Sequence, residues 1–357
     1  MPVRATRMRE LVEPLFHTSG LVHRDGAMGA ELELIPVRSR SRKRVGIAAS
    51  NEGPGTADIA RAAALREGWI EQTDPYGSPS WMMPGGGRLT YEPGGQMEIS
   101  SPVFDSIAHL EGFVRETVAV LREPANAADI SLLTVGVDPY NDITTVPLVL
   151  HAPRYDAMTR HFDSIGPSGA RMMRQTASLQ VSVELGAHVM HRWALLNALA
   201  PYLVAAFANS PTYAGAPTGY ASYRAHLWQT LDRTRTGMPF DAADPVGAYS
   251  RFASDATRIL SDDEAHLTTL FPEVRPRAYF EIRSIDSMEP DRICEALRFV
   301  SSLVHDVDVA AEAARVIGDP DPGILERAAR FGRTDPFINR QLDVLEVLAE
   351  SSSAHVR

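Results

Sequence analysis

Lysine is all but missing from this chain: of 35 basic residues in 357, only Lys43 is not arginine. That scarcity removes several mechanisms at once, because no lysine can close a phosphate-binding glycine loop or form a Schiff base. Any polyanion must be held by arginine, backbone amides or metal. Cysteine is equally rare, and the single Cys294 excludes an internal disulfide and a cysteine-based zinc cluster. It falls in the helical spacing of residues 291–305, where it reads as a small buried apolar side chain. No apolar run approaches the roughly 20 residues of a membrane helix. The stretch from Met1 to Phe16 lacks the continuous apolar core and small-residue cleavage site of a secretory signal. The chain is therefore expected to be cytoplasmic, with no membrane partner.

Positive charge is also in short supply. A net charge of -10 argues against nucleic acid as the main partner, since phosphate neutralisation needs a basic face. The one basic run, Arg38 to Arg44, reads as a solvated loop after a strand. No Gly-x-Ser-x-Gly elbow and no Gly-x-Gly-x-x-Gly fingerprint occurs, which sets aside serine hydrolase and Rossmann readings. His188 and His191 lack a Glu-His metal pattern and read as packing or surface residues, and Met172 and Met173 as core.

What is present fits a large globular domain, with 44% hydrophobic and 22% charged residues. Helical spacing predicts helices near residues 59–67, 106–122, 155–162, 188–208, 222–231, 292–305, 324–331 and 338–349. The almost wholly apolar stretch 188–208 predicts a helix buried between layers. Strand alternation covers 29–37, 80–92, 95–101, 131–137, 175–185 and 278–285, and Glu92-Pro-Gly-Gly95 reads as a hairpin connection. The Gly- and Pro-rich segments 75–87 and 211–219 are long enough to cover a substrate. The fold class is α+β.

Four of the strands share a pattern. Successive side chains leave a strand on opposite faces, so Glu31 and Glu33 oppose Ala30, Leu32 and Leu34. In the same way Gln96, Glu98 and Ser100 oppose Met97 and Ile99. Ser178, Gln180, Ser182 and Glu184 oppose Leu179, Val181 and Val183, while Glu281 and Arg283 oppose Phe280 and Ile282. A sheet wet on one side accounts for any one of these alone. Four together hold carboxylates, carboxamides, hydroxyls and one arginine, without the mixture a merely solvated face carries. If they share a sheet, the repulsion must be relieved by a cation, by protonation or by separation. Oxygen ligands without a His or Cys cluster select Mg²⁺ or Mn²⁺, and an acidic sheet without a Gly-rich phosphate loop is a plausible nucleotide platform.

The same residues carry a family likeness. Gly29-Ala-Glu-Leu-Glu33, Glu92-Pro-Gly-Gly-Gln-Met-Glu-Ile-Ser100, Arg154-Tyr-Asp-Ala-Met158 and the run from Met172 to Val181 come first. Ala208-Asn-Ser-Pro211, Arg235-Thr-Gly237, the run from His266 to Pro272 and Glu281-Ile-Arg283 follow. In this order they resemble the plant-type and actinobacterial glutamate-cysteine ligases, from about Gly29 to Asp286. The resemblance implies a glutamine-synthetase-like fold, a curved and mainly antiparallel sheet of about six strands flanked by helices. It implies a single catalytic domain over 1–357, helical from about residue 288. The implied reaction uses ATP and Mg²⁺ (or Mn²⁺) to make an acyl phosphate of glutamate, which the amine of cysteine attacks.

By motif position Glu31, Glu33, Glu98 and Glu281 look like metal ligands, with Gln96 and Glu92 beside them. Gln96, Gln180 and Ser182 look like nucleotide or metal contacts, and Arg283 like the cation on the transferring phosphoryl group. Arg154 and Tyr155, with Arg235, resemble the groups that grip substrate carboxylate or phosphate. The family often has Asn and Asp where this chain has Ser182 and Glu184. It is a monomer or homodimer on this reading, feeding glutathione or ergothioneine synthesis. Another amine or acid with the same chemistry remains open, as does a catalytically silent nucleotide-binding relative.

Overall fold

Alternation in Met28–Arg38 drives its apolar side chains to one side and its glutamates to the other, the period-two geometry of a strand. The computed structural model, which describes residues 2–17, 26–241 and 243–353, makes this run the centre of an α+β fold. The described strands are β1 Met28–Arg38, β2 Ile70–Thr73, β3 Pro79–Met82, β4 Arg88–Tyr91, β5 Met97–Ser100, β6 Ile130–Leu133 and β7 Ser178–Val183. Then come β8 Thr212–Tyr213, β9 Ala216–Pro217, β10 Thr236–Gly237, β11 Phe271–Pro272, β12 Val274–Pro276 and β13 Phe280–Asp286. The main sheet runs β12-β13-β7-β1-β5-β4-β3-β2, with β6 paired to the second half of β1. All its pairs are antiparallel.

The sheet has nine strands rather than about six. Residues 80–92 form two strands because Gly85 and Gly86 turn the chain at φ of +82° and +101°, conformations that glycine alone adopts without strain. The Met83 N–H donates to Gly87 O at 2.7 Å across that turn. Short strands β2 and β12 then lie at the two edges. The hairpin expected at Glu92-Pro-Gly-Gly95 joins β4 to β5. Gly95 supplies a φ of +79° and donates to Glu92 O at 2.8 Å, while a Cβ on Gly94 would lie 2.1 Å from Arg174 O.

On the apolar side Leu32, Leu34, Met97, Leu179, Val181 and Ile282 are buried against helices Ile107–Ala127 and Val189–Ala206. The second of these is buried on all sides from Trp193 onward and packs on β13 and on the helices Pro322–Phe331 and Pro336–Ser353. Beyond Asp286 the described chain is helical, with Pro290–His305 and Val307–Ile317 completing that layer. Cys294 is buried there, its Sγ 3.1 Å from Arg115 Nη1. No helix among the described residues is long and apolar enough to cross a membrane.

The basic run is only partly solvated. Arg38 is buried and donates to Pro54 O at 2.7 Å, while Arg44 lies 3.5 Å from Asp138 and donates to Gly94 O at 2.7 Å. Arg44 thus braces the β4–β5 turn. Arg40 and Lys43 do remain at the surface, Lys43 paired with Glu52 at 2.8 Å.

Candidate active site

The four strands with an acidic side are consecutive in the sheet, in the order β13-β7-β1-β5. Register then converges their polar residues: Glu33 faces Glu98, Glu31 lies between Gln180 and Ser100, and Arg275 on β12 faces Glu281. Helices Pro153–Asp163, Pro167–Gln175 and Tyr223–Leu231 close over this side and leave a cavity of about 230 Å³. The last helix is set by Ser222, whose Oγ accepts from the Ala225 N–H at 3.1 Å and donates to Asp286 at 2.9 Å. That bond ties the helix start to the end of β13.

Carboxylates form one wall. Glu33, Glu92 and Glu98 each offer an oxygen within 4.8 Å of the others. Glu33 accepts from the Ser178 N–H at 2.8 Å and from Gln180 Nε2 at 3.3 Å, and Glu98 from the Thr90 hydroxyl at 2.9 Å. Burial raises the proton affinity of Glu33, burial and repulsion from Glu98 that of Glu92, and burial and repulsion from Glu33 that of Glu98. Burial, then Glu98 and Glu281, pushes Glu31 up to about 8. Glu281 goes the other way. Burial alone would raise it, but Arg275, Arg283 and Arg277 hold it down at about 2, at distances of 3.2, 2.5 and 3.1 Å.

Arginines form the facing wall. Nη1 of Arg283 donates to Gln180 Oε1 and Glu281 Oε2, both at 2.5 Å, so Gln180 bridges Glu33 to Arg283. Arg224 and Arg283 lie 4.8 and 5.5 Å from the centre of the Trp228 ring, which is itself fixed by Nε1–H donating to Phe271 O at 3.0 Å. Arg224 sits in the first turn of its helix, where a cation is disfavoured by the dipole, and Asp286 at 3.8 Å offsets this. Its Nη2 donates to Arg283 O at 2.7 Å. The Nε–H groups of Arg154, Arg224, Arg275 and Arg283 are buried and meet no acceptor, which is unused capacity for an anion.

The positions expected from the motifs divide. Glu31, Glu33, Glu98, Glu281, Gln96, Gln180, Arg154, Tyr155 and Arg283 all line the cavity. Within it the oxygens of Glu281 meet Arg275, Arg277 and Arg283, while Glu92 joins Glu33 and Glu98 in the cluster of close carboxylate oxygens. The Gln96 amide is spent on the backbone, accepting from Gly94 N–H at 3.0 Å and donating to Thr176 O at 2.8 Å. Arg154 donates to Thr268 O at 2.7 Å and lies over the Tyr155 ring. Met172 and Met173 are packed in a buried cluster and also reach the cavity lining.

Two residues stand apart. Ser182 lies farther along β7, opposite Gly29 and Glu281, and is not in the lining. Arg235 is fully buried outside the cavity; it donates to Asp232 at 2.8 Å, to Thr269 O at 3.0 Å and to Thr257 O. Burial opposes the charge on Asp232, yet hydrogen bonds from His161, Arg235 and Thr234 hold its carboxyl well below the usual range. Arg224, Trp228, Arg275 and Arg277 were not among the expected site residues. Alternation carried through residues 275–283 places Arg275 and Arg277 with Glu281, and the i, i+4 spacing of Arg224 and Trp228 puts them on one helix face.

The sequence model of glutamate-cysteine ligase family 2 matches residues 27–331. Glutamate-cysteine ligase EgtA of Mycolicibacterium smegmatis is 32% identical over 339 residues, an alignment covering 80% of this chain and 79% of that protein. The chloroplastic glutamate-cysteine ligase of Brassica juncea is 30% identical over 275 residues, covering 66% of this chain and 53% of its own length. Among solved structures, a glutamate-cysteine ligase of Francisella tularensis in complex with AMP overlays with a TM-score of 0.46 and 12% identity, covering 91% of this chain and 88% of that one.

Proposed function

The chain belongs to glutamate-cysteine ligase family 2, a family of ATP-dependent ligases, and we propose that it joins the γ-carboxylate of glutamate to the amine of cysteine through an acyl phosphate. A carboxylate and an ammonium group do not condense usefully in water. Phosphoryl transfer makes the carboxyl carbon electrophilic; the neutral amine then forms the C–N bond as the C–O bond to phosphate breaks, and inorganic phosphate leaves. Such catalysis is chiefly positioning and charge neutralisation, which suits a site with no activated nucleophile.

The observation that carries this reading is the cavity's division into a carboxylate wall and an arginine wall. Glu33, Glu92 and Glu98 fit a hard divalent cation, since all three donors are carboxylate oxygens held together at the cost of raised proton affinity. Bound there, Mg²⁺ or Mn²⁺ supplies charge neutralisation to phosphate oxygens. Arg224, Arg275, Arg277 and Arg283 meet the opposite side of the polyphosphate, and Gln180 keeps Arg283 and Glu33 in fixed relation. Arg154, stacked on Tyr155, is placed to hold a substrate carboxylate. Arg235 acts on this site only through the packing behind it.

The test is ADP release by purified protein with glutamate, ATP and Mg²⁺, each amino acid being added in turn. γ-Glutamylcysteine identified by mass and cysteine-stimulated turnover are expected. Turnover with a different amine alone would keep the chemistry and replace the substrate; no amine-dependent turnover would overturn the reading.

A further inference from the structure

A second cavity, of about 290 Å³, lies between β3, β4 and the turn at residues 74–78. It shares Glu92, Glu98 and Tyr155 with the first, so the two chambers meet at two of the three clustered carboxylates. Their chemistry differs. The first is lined by five arginines, whereas the second has one cation, Arg88, whose guanidinium makes no hydrogen bond or ion pair to the described residues. Ser78, Ser80 and Thr90 also line this second cavity.

Register explains the placement. Arg88 and Thr90 leave β4 on the same side, opposite Ser100 and Glu98, and Thr90 donates to Glu98 at 2.9 Å. Arg88 is therefore about 7 Å along the strand from a residue in contact with the trio. The outer wall is held by Asp74, whose Oδ1 accepts from the N–H groups of Tyr76 and Ser78, both at 2.8 Å.

We infer that the second chamber binds an amino-acid substrate by its α-carboxylate, with Arg88 as the counter-ion. The inference rests on the ligase reading above. In phosphoryl transfer the attacking and leaving oxygens are roughly in line, so acceptor and nucleotide lie on opposite sides of the transferred group. Arg224, Arg275, Arg277 and Arg283 collect the polyphosphate in the first chamber, and the Nε–H groups of Arg224, Arg275 and Arg283 are buried without an acceptor. The acceptor and the amine that follows it come from the other side of the trio, where a lone guanidinium matches one carboxylate and not a triphosphate.

Two substrate pairs test this on the whole protein: cysteine against cysteamine, and glutamate against 4-aminobutyrate, each second member lacking only the α-carboxylate. The unaltered protein should favour the first member of both. In Arg88→Gln one preference should fall by about tenfold or more, through a raised KM with kcat changed less, since a charged hydrogen bond is lost. Loss in the cysteine pair assigns the chamber to the amine donor, and loss in the glutamate pair to the acyl acceptor. Arg88→Lys should keep most of the preference. Titration calorimetry of cysteine and glutamate without nucleotide makes the same comparison without turnover, so an inactive protein sinks the ligase reading while binding still judges Arg88. Both preferences and both affinities unchanged in Arg88→Gln, or a KM effect confined to ATP, would overturn the inference.

Discussion

Glu33 and Glu98 are direct partners in the antiparallel β1–β5 ladder, two carboxylates on the same side of the sheet, with Glu92 completing a trio inside 4.8 Å. Like charges placed opposite each other in a ladder repel. The pair therefore persists by holding a proton or a cation, and the two states compete. That competition makes the site open to measurement.

Removing one charge from the trio should weaken the cation without disturbing shape. Glu98→Gln keeps the hydrogen bond from Thr90 and deletes one negative charge. The Mg²⁺ concentration for half-maximal turnover should rise by roughly tenfold or more, with a lower maximal rate. Rate against Mg²⁺ at saturating ATP and glutamate is the measurement, and an unchanged Mg²⁺ dependence would place the cation elsewhere.

Stability without metal should depend on pH in a direction set by the same groups. Glu31, Glu33, Glu92 and Glu98 bind protons more tightly folded than unfolded. Their stabilisation is complete below the unfolded value of about 4.3 and is lost as pH rises through the folded values, for Glu31 about 8. Glu281, held at about 2, stabilises above about 4.3 and loses that contribution as pH falls toward 2. In EDTA the Tm should therefore fall from pH 5 to pH 8, and Mg²⁺ should restore more of it at pH 8 than at pH 6. Equal Mg²⁺ effects at both values would count against the trio as its site.

Arg283 both pairs with Glu281 and faces the cavity, so a charge-conserving change separates the two roles. Arg283→Lys retains a point charge near Gln180 and Glu281, both of which Nη1 alone now holds, but loses the other guanidinium N–H donors that a phosphoryl group would engage. If the guanidinium acts on the transferring phosphoryl group, kcat should drop on the order of 10³-fold while ATP affinity changes far less. A folded Arg283→Lys protein with unchanged kcat would leave only the ion pair.

Arg235 predicts the opposite phenotype. Its side chain has no exposure and pairs with an Asp232 that is almost as buried. Arg235→Met takes from Asp232 its buried arginine and leaves it only His161 and Thr234, so the unfolding free energy should fall by about 3 kcal/mol, the low end of the cost of breaking a buried pair. Urea unfolding should show the loss, while KM for glutamate and ATP stays near the unaltered value in protein that remains folded. A large KM change at unchanged stability would return Arg235 to the site.

The acidic sides of β1, β5, β7 and β13 were legible because alternation is a local property: the side from which Glu31 or Gln180 projects follows from its neighbours within two or three residues. The buried helix Val189–Ala206 was legible for a similar reason, since from Trp193 onward it is almost wholly apolar and has no polar face to keep wet. Even the β4–β5 turn could be read from Glu92-Pro-Gly-Gly95, because Gly95 needs a φ that other residues avoid.

Which groups meet is a different kind of information. Glu281 follows the same alternation as Glu33, yet the register of β12 against β13 brings Arg275 to it and makes it a counter-ion of the arginine wall. Arg224 and Trp228 lie four residues apart on one helix face, but that spacing does not tell that the face roofs an acidic sheet. Arg235 sits in a motif that reads alike whether its guanidinium grips a ligand or Asp232, and burial decides between them. Local periodicity thus gives the direction in which each side chain leaves the backbone, while the partner it meets depends on segments brought together across long loops, whose pairing is chosen by packing of the whole sheet and its helices.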